Sequence, residues 1–126
     1  MTLGKVLVVD DNHDICDLLA LKLTNAGFDV TQANDGITGL ELGLNGSFDL
    51  VVLDVMMPGM SGIDVLRRLR DAEQTATTPV LLLTAKTQER DVESGFGAGA
   101  GEYMTKPFSP RELLVRVKAM LARSQS

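Results

Sequence analysis

Three short apolar runs constrain this chain more than any other feature. Lys5–Val9, Leu50–Leu53 and Val80–Leu83 carry Val and Leu, with no polar residue after the opening Lys5. A strand with one wet face alternates apolar and polar residues, whereas an unbroken run belongs to a strand covered on both faces. Asp29–Ala33 and Tyr103–Thr105 are weaker strand candidates. Helical patterns lie between the runs. Ile15, Leu18, Leu19, Leu23 and Ala26 fall on one stripe, and Gly27 stands where a left-handed stop belongs. A second helix is predicted over Gly36–Leu44. Ser61-Gly62-Ile63-Asp64 has capping spacing ahead of Val65, Leu66 and Leu69. A fourth helix, near Gln88–Phe96, has a thin apolar stripe. Ser109, Pro110 and Glu112 mark the start of the last helix, with Leu113, Leu114, Val117 and Leu121 as its buried stripe.

The resulting order, βαβαβαβαβα, predicts an α/β fold with right-handed crossovers: a five-stranded parallel sheet flanked by five helices. Five strands fit the flavodoxin-like order 2-1-3-4-5, and a closed eight-stranded barrel needs far more chain. With 126 residues, residues 1–123 read as a single domain, and 124–126 as a polar tail or the start of a linker. Hydrophobic residues at 44% and charged residues at 23% exclude wholesale disorder. A formal charge of −5 gives no general attraction to phosphate backbones, which argues against direct nucleic-acid binding. The single cysteine, Cys16, excludes an internal disulfide and a cysteine zinc site. No apolar run approaches the roughly 18 residues of a membrane span, and the start, MTLGKVLVVDD, reaches acids too soon for a signal peptide. A reduced, cytoplasmic protein is expected.

Open parallel sheets bind ligands beyond the carboxyl ends of their strands, where the strand order reverses. The polar residues that end each run are therefore the candidates. The first strand ends in Asp10-Asp11, the third in Asp54, the fourth in Thr84 and the fifth in Lys106. Strand two ends in Asn34-Asp35, at the sheet edge and away from this cluster. Any one Asp after a strand is also an ordinary cap or turn residue. Acids, a hydroxyl and a lysine at the same end of four adjacent strands are much harder to assign to capping alone. Two carboxylates about 4 Å apart repel by about 4 kcal/mol at an effective dielectric near 20. Three together bind a proton or a cation. All the donors are hard oxygens with no His or Cys among them, which selects Mg²⁺, or Mn²⁺ in its place. A metal beside Lys106 and Thr84 makes a dianion pocket, in which Asp54 can attack phosphorus and form an aspartyl-phosphate.

Four motifs carry a resemblance: Val8-Val9-Asp10-Asp11, Leu53-Asp54-Val55-Met56-Met57-Pro58-Gly59, Leu83-Thr84-Ala85 and Tyr103-Met104-Thr105-Lys106-Pro107-Phe108. In this order and spacing the chain resembles the receiver domain of two-component response regulators, including those of the winged-helix transcription-regulator class. The resemblance implies that Asp54 accepts a phosphoryl group from a histidine kinase or phosphotransfer protein. It also implies a Mg²⁺ site of Asp11, Asp54 and the backbone carbonyl of Met56, with Asp10 acting mostly through water. Thr84 and Lys106 would contact the phosphoryl group. Thr84 and Tyr103 would form a switch that changes the face made by the fourth helix, the fifth strand and the last helix. The Lys106–Pro107 bond is expected to be cis on this resemblance, although sequence alone favours trans. An output domain or a downstream protein would read the switch. Met56 and Lys86 would flank the phosphate path, and neither positions water well, which implies slow self-hydrolysis.

Other residues have plainer readings. His13 is expected to be exposed in the first turn of a helix, and Cys16 to be a small packed side chain. Met57 and Met60 are expected over the rim of the site. Arg67, Arg68 and Arg70 suit a helix C-terminus. The chain also departs from the winged-helix members, many of which have two acids before the strand-five aromatic and a basic residue on helix four. Here those positions hold Gly101, Glu102 and Val92. Glu102 with Arg116 would keep one cross-subunit pair, so homodimerisation stays open. Glycines at 95, 97, 99 and 101 loosen the end of the fourth helix.

The resemblance implies a signalling module and not a turnover enzyme: phosphotransfer and dephosphorylation are self-catalysed. Alternatives are a Mg²⁺-dependent phosphatase with an Asp nucleophile, a flavin-binding electron carrier, and a receiver-like interaction module that is not phosphorylated. Against the phosphatase, Asp10 is followed two positions later by Asn12 where a second Asp is usual, and no cap domain fits. Against the flavin carrier, the first loop is Asp-Asp-Asn-His-Asp and aromatics make up 4%.

Overall fold

A computed structural model describes residues 2–85, 93, 97 and 99–124. Its strands are β1 (Lys5–Val9), β2 (Asp29–Ala33), β3 (Leu50–Asp54), β4 (Val80–Ala85) and β5 (Glu102–Lys106). They form one parallel sheet in the order β2-β1-β3-β4-β5. Four α-helices are described: α1 (His13–Asn25), α2 (Gly36–Asn45), α3 (Gly62–Asp71) and α4 (Pro110–Ser124), with one 3₁₀ turn at Glu73–Thr75. The helix expected over Gln88–Phe96, with Lys86 and Val92, lies outside the described residues except for Glu93.

The unbroken apolar runs are explained by two cores. Side chains alternate across a strand. In β1, Val6 and Val8 enter one core with Leu19, Leu23, Leu113 and Val117, from α1 and α4. Leu7 and Val9 enter the other with Val65, Leu66 and Leu69 of α3. Val51 and Leu53 of β3 and Leu82 of β4 lie in this second core, while Val52, Leu81 and Leu83 lie in the first. Neither face of these strands meets water, so neither face tolerates a polar residue until the strand ends.

Capping fixes where the helices begin. The Asn12 side chain accepts from the Ile15 N–H at 3.1 Å, Asp35 from Thr38 at 2.7 Å, Ser61 from Asp64 at 3.2 Å and Ser109 from Glu112 at 3.0 Å. The backbone N–H and hydroxyl of Thr38 hold the Asp35 carboxyl below its ordinary range. After α1, Gly27 takes φ +107°, a left-handed conformation that ends the helix at low cost only for glycine. The α1 stripe needs one correction. Leu18 lies on the stripe that the helical period assigns to the core, but it is 51% exposed and lines an apolar groove with Pro107, Phe108 and Pro110. The last helix buries Met120 in addition to Leu113, Val117 and Leu121.

Candidate functional site

Register brings the acids level. Val9 pairs with Leu53, so Asp10 follows β1 beside Asp54 at the end of β3. On the other side, Asp54 pairs with Leu83 and Ala85 with Lys106, which carries the β5 lysine to the same end of the sheet. The carboxylates of Asp10, Asp11 and Asp54 each offer an oxygen within 4.8 Å of the others. Asp10 and Asp54 are buried and Asp11 is exposed. Lys106 Nζ sits between the two buried acids, 3.2 Å from Asp10 Oδ2 and 3.3 Å from Asp54 Oδ1. The other Asp10 oxygen accepts from the Asn12 N–H at 2.9 Å. Together these residues line an open cavity of about 300 Å³, completed by Ile15, Met56 and Ala85.

Negative charge is in excess here. Burial first, and then the neighbouring Asp10, push the Asp54 carboxyl up to about 6, although Lys106 opposes them. Burial works against the charged form of Lys106, but Asp54 and Asp10 outweigh it and hold the ammonium above its ordinary value. One ammonium therefore does not neutralise the cluster. A site with three close oxygen donors, one side open to water and uncompensated negative charge suits a small hard divalent cation that keeps several waters. The donor set fits Mg²⁺, with Asp10, Asp11 and Asp54 as the side chains able to hold it.

Residues 6–118 match the family model of the response regulator receiver domain. The chain belongs to that family. It is 47% identical over 120 residues to the DNA-binding dual master transcriptional regulator RpaA of Synechocystis, covering 95% of this chain and 50% of RpaA. It is 49% identical over 121 residues to the alkaline phosphatase synthesis transcriptional regulatory protein PhoP of Bacillus subtilis, covering 96% of this chain and 50% of PhoP. This receiver thus spans about half the length of the curated relatives it matches. Among solved structures, the receiver domain of the sensor histidine kinase PA1611 from Pseudomonas aeruginosa superposes with a TM-score of 0.86 at 27% identity, covering 94% of this chain and 98% of that one. The PA1611 receiver holds a magnesium ion in its active site cleft.

In this receiver, Asp10, Asp11, Asp54 and Lys106 converge, and Met56 lines the same cavity. Thr84 is buried at the end of β4, and its hydroxyl donates to the Ala85 carbonyl at 3.3 Å. Tyr103 lies apart from the cluster, 39% exposed, in a groove with Glu102, Thr105 and Arg116. The Lys106–Pro107 peptide is cis. His13 is exposed and Cys16 is buried, as their plainer readings have it. Two expectations need correction. Met57 is buried in the α3-side core, Met60 is partly buried against that core, and Met56 alone of the three lines the acid cavity. The end of β2 is not remote from the acids either, because Asn34 Nδ2 donates to the Asp10 carbonyl at 3.1 Å. Sequence reading also missed Asn12 and Ile15 as site neighbours. Asn12 carried a usable signal, since a residue that caps α1 directly after the acid pair must sit at the mouth of the cavity.

Proposed function

We propose that this receiver is a phosphorylation-switched module that accepts a phosphoryl group on Asp54 from a histidine kinase or phosphotransfer protein. The observation that carries this reading is the convergence of three carboxylates on one ammonium at the carboxyl end of the sheet. Mg²⁺, with Mn²⁺ as a substitute, would be held by Asp11, Asp54, the Met56 carbonyl and, mostly through water, Asp10. When bound it supplies charge neutralisation for the phosphoryl oxygens. Asp54 then acts as nucleophile: one of its oxygens forms a bond to phosphorus while the P–N bond of the donor phosphohistidine breaks. The imidazole nitrogen keeps the electron pair. Lys106, already between Asp54 and Asp10, is placed to pair with a phosphoryl oxygen, and Thr84 donates a hydrogen bond to another.

Thr84 moving toward the new charge vacates space, and Tyr103 turns inward from its half-exposed position. The face around β5 and α4 thereby changes its partner preference. An output domain or a downstream protein reads that change. The name of RpaA favours a DNA-binding output and that of PhoP a transcriptional one, reached through a linker beginning near residue 124. Homodimerisation through this face would compete with pairs that Glu102 makes within one chain, to Arg116 at 2.6 Å and Arg123 at 2.5 Å. The module works in the cytoplasm and turns over no external substrate. Self-hydrolysis is slow, because Met56 at the cavity is no base. No helix among the described residues is long and apolar enough to cross a membrane.

Incubation with acetyl phosphate or a phosphoramidate and Mg²⁺ tests the reading by intact mass. One phosphoryl adduct is expected on the wild type and none on Asp54→Asn. An unmodified wild type, or equal labelling of the variant, overturns it.

A further inference from the structure

The loop after β2 touches both acid-bearing loops. Asn34 Nδ2 donates to the Asp10 carbonyl at 3.1 Å, and the Asp10 N–H donates to the Ala33 carbonyl at 3.1 Å. Two residues on, Gly36 opens α2 directly against the β3–α3 loop. A Cβ there would overlap the Met60 carbonyl oxygen and stand 3.0 Å from Met60 Cβ. The far end of the same loop is closed by Gly62, whose N–H donates to the Val55 carbonyl at 2.9 Å. A Cβ on Gly62 would overlap the carbonyl oxygen of Asp54 itself. These neighbours are backbone atoms, so rotating a side chain cannot relieve the overlap.

Gly43, further along α2, meets something softer. A Cβ on Gly43 would lie 3.1 Å from Leu69 Cδ2 and 3.6 Å from Leu7 Cδ2, both tips of flexible side chains. Gly43 is thus a packing glycine at the distal end of the helix. Gly36 and Gly62 bracket the stretch that runs from Asp54 past Met56.

We propose that Asn34, Gly36 and Gly62 are positioning residues that fix the spacing between the Asp10 loop and the Asp54 loop, so that the oxygen cluster stands preformed for a divalent cation. This rests on the Mg²⁺-dependent reading above. Mg²⁺ demands near-ideal octahedral geometry, so a small displacement of either loop weakens binding. Strand β2 contributes no ligand, yet its loop acts as a brace between the two strands that do.

Calorimetric titration of Mg²⁺ into the folded protein, well below its melting transition, tests the brace. Gly36→Ala is expected to bind Mg²⁺ about tenfold or more weakly, the range typical of lost ligand support. Asn34→Ala, which adds no volume, weakens binding in the same direction by a smaller factor. Gly43→Ala lowers the melting temperature but binds Mg²⁺ as the wild type does, which a purely structural role for Gly36 would not produce. Wild-type affinity in both Gly36→Ala and Asn34→Ala overturns the inference, as does an equal loss in Gly43→Ala. Should Gly36→Ala fail to fold, Asn34→Ala decides alone. A wild type that binds no Mg²⁺ overturns the functional reading and this inference with it, whereas tight binding by wild type and variants alike removes only this inference.

Discussion

The middle of the sheet and its β5 edge differ in what they hold together. At β1 and β3, every residue from Val6 to Val9 and from Leu50 to Leu53 is buried, and charge appears only at the strand ends, as Asp10 and Asp54. At β5, one strand edge faces outward: Tyr103 is half exposed and Glu102 reaches two arginines on the surface of α4. The first region holds like charges together against their repulsion, which only a rigid, doubly covered support can do. The second holds opposite charges together in water, where little support is needed and little energy is stored. Rigidity is concentrated where chemistry needs fixed distances, and adjustable contacts where a partner would read the result.

Truncation of the core should expose this contrast most strongly. Leu53→Ala, next to Asp54 and fully buried, is expected to cost about 2–5 kcal/mol in urea unfolding. Val115→Ala, on the exposed side of α4 at 61% exposure, should stay within about 0.5 kcal/mol of wild type. Similar losses in the two variants would erase the distinction between the regions.

A smaller effect should come from the acid cluster itself. The Asp54 carboxyl is raised from an ordinary 3.8 to about 6 by burial and by Asp10. The folded state therefore holds this proton more tightly than the unfolded state does. Its contribution to stability falls as pH rises from about 4 to about 6 and is fully unfavourable above that window. In metal-free protein at pH 7.5, Asp54→Asn is expected to be more stable than wild type by on the order of 2 kcal/mol. The gain should vanish near pH 4. Unfolding curves in chelator at several pH values check the sign, and a variant less stable at pH 7.5 would show that the cluster is not under repulsion. Mg²⁺ at about 100 times its Kd should stabilise the wild type by about 2.7 kcal/mol, enough to close that gap.

Legibility in the sequence follows the same division. Strand order and strand ends could be read because burial on both faces forces an abrupt apolar-to-acid boundary, visible at Val9-Asp10 and Leu53-Asp54. The helix starts at Ser61 and Ser109 could be read from their capping patterns. Contacts that depend on how a loop turns could not. Met57 and Met60 flank a bend that includes Gly59 at φ +79°, and no hydrophobic period encodes how they pack against the core. Leu18 follows the α1 period but ends up at a groove edge, because periodicity gives a helix face without giving the width of what covers it. Asn34 read as an edge residue, since strand order alone does not reveal that its side chain reaches back to the Asp10 backbone.

The smallest expected effect lies on the adjustable side. Glu102 uses both carboxylate oxygens, one on Arg116 and one on Arg123, yet the arginine side chains are 47% and 66% exposed. Water competes for both pairs, and ordering two long side chains has an entropic cost. Glu102→Gln is therefore expected to lose less than about 1 kcal/mol, and less still in about 1 M salt, where the screening length falls to about 3 Å. A loss as large as that of Leu53→Ala, or one insensitive to salt, would mean that this carboxylate fixes the strand and is not a surface clasp. Small, salt-sensitive pairs are what a signalling face requires, because contacts worth a fraction of the total stability can be exchanged for those of a partner without unfolding the domain.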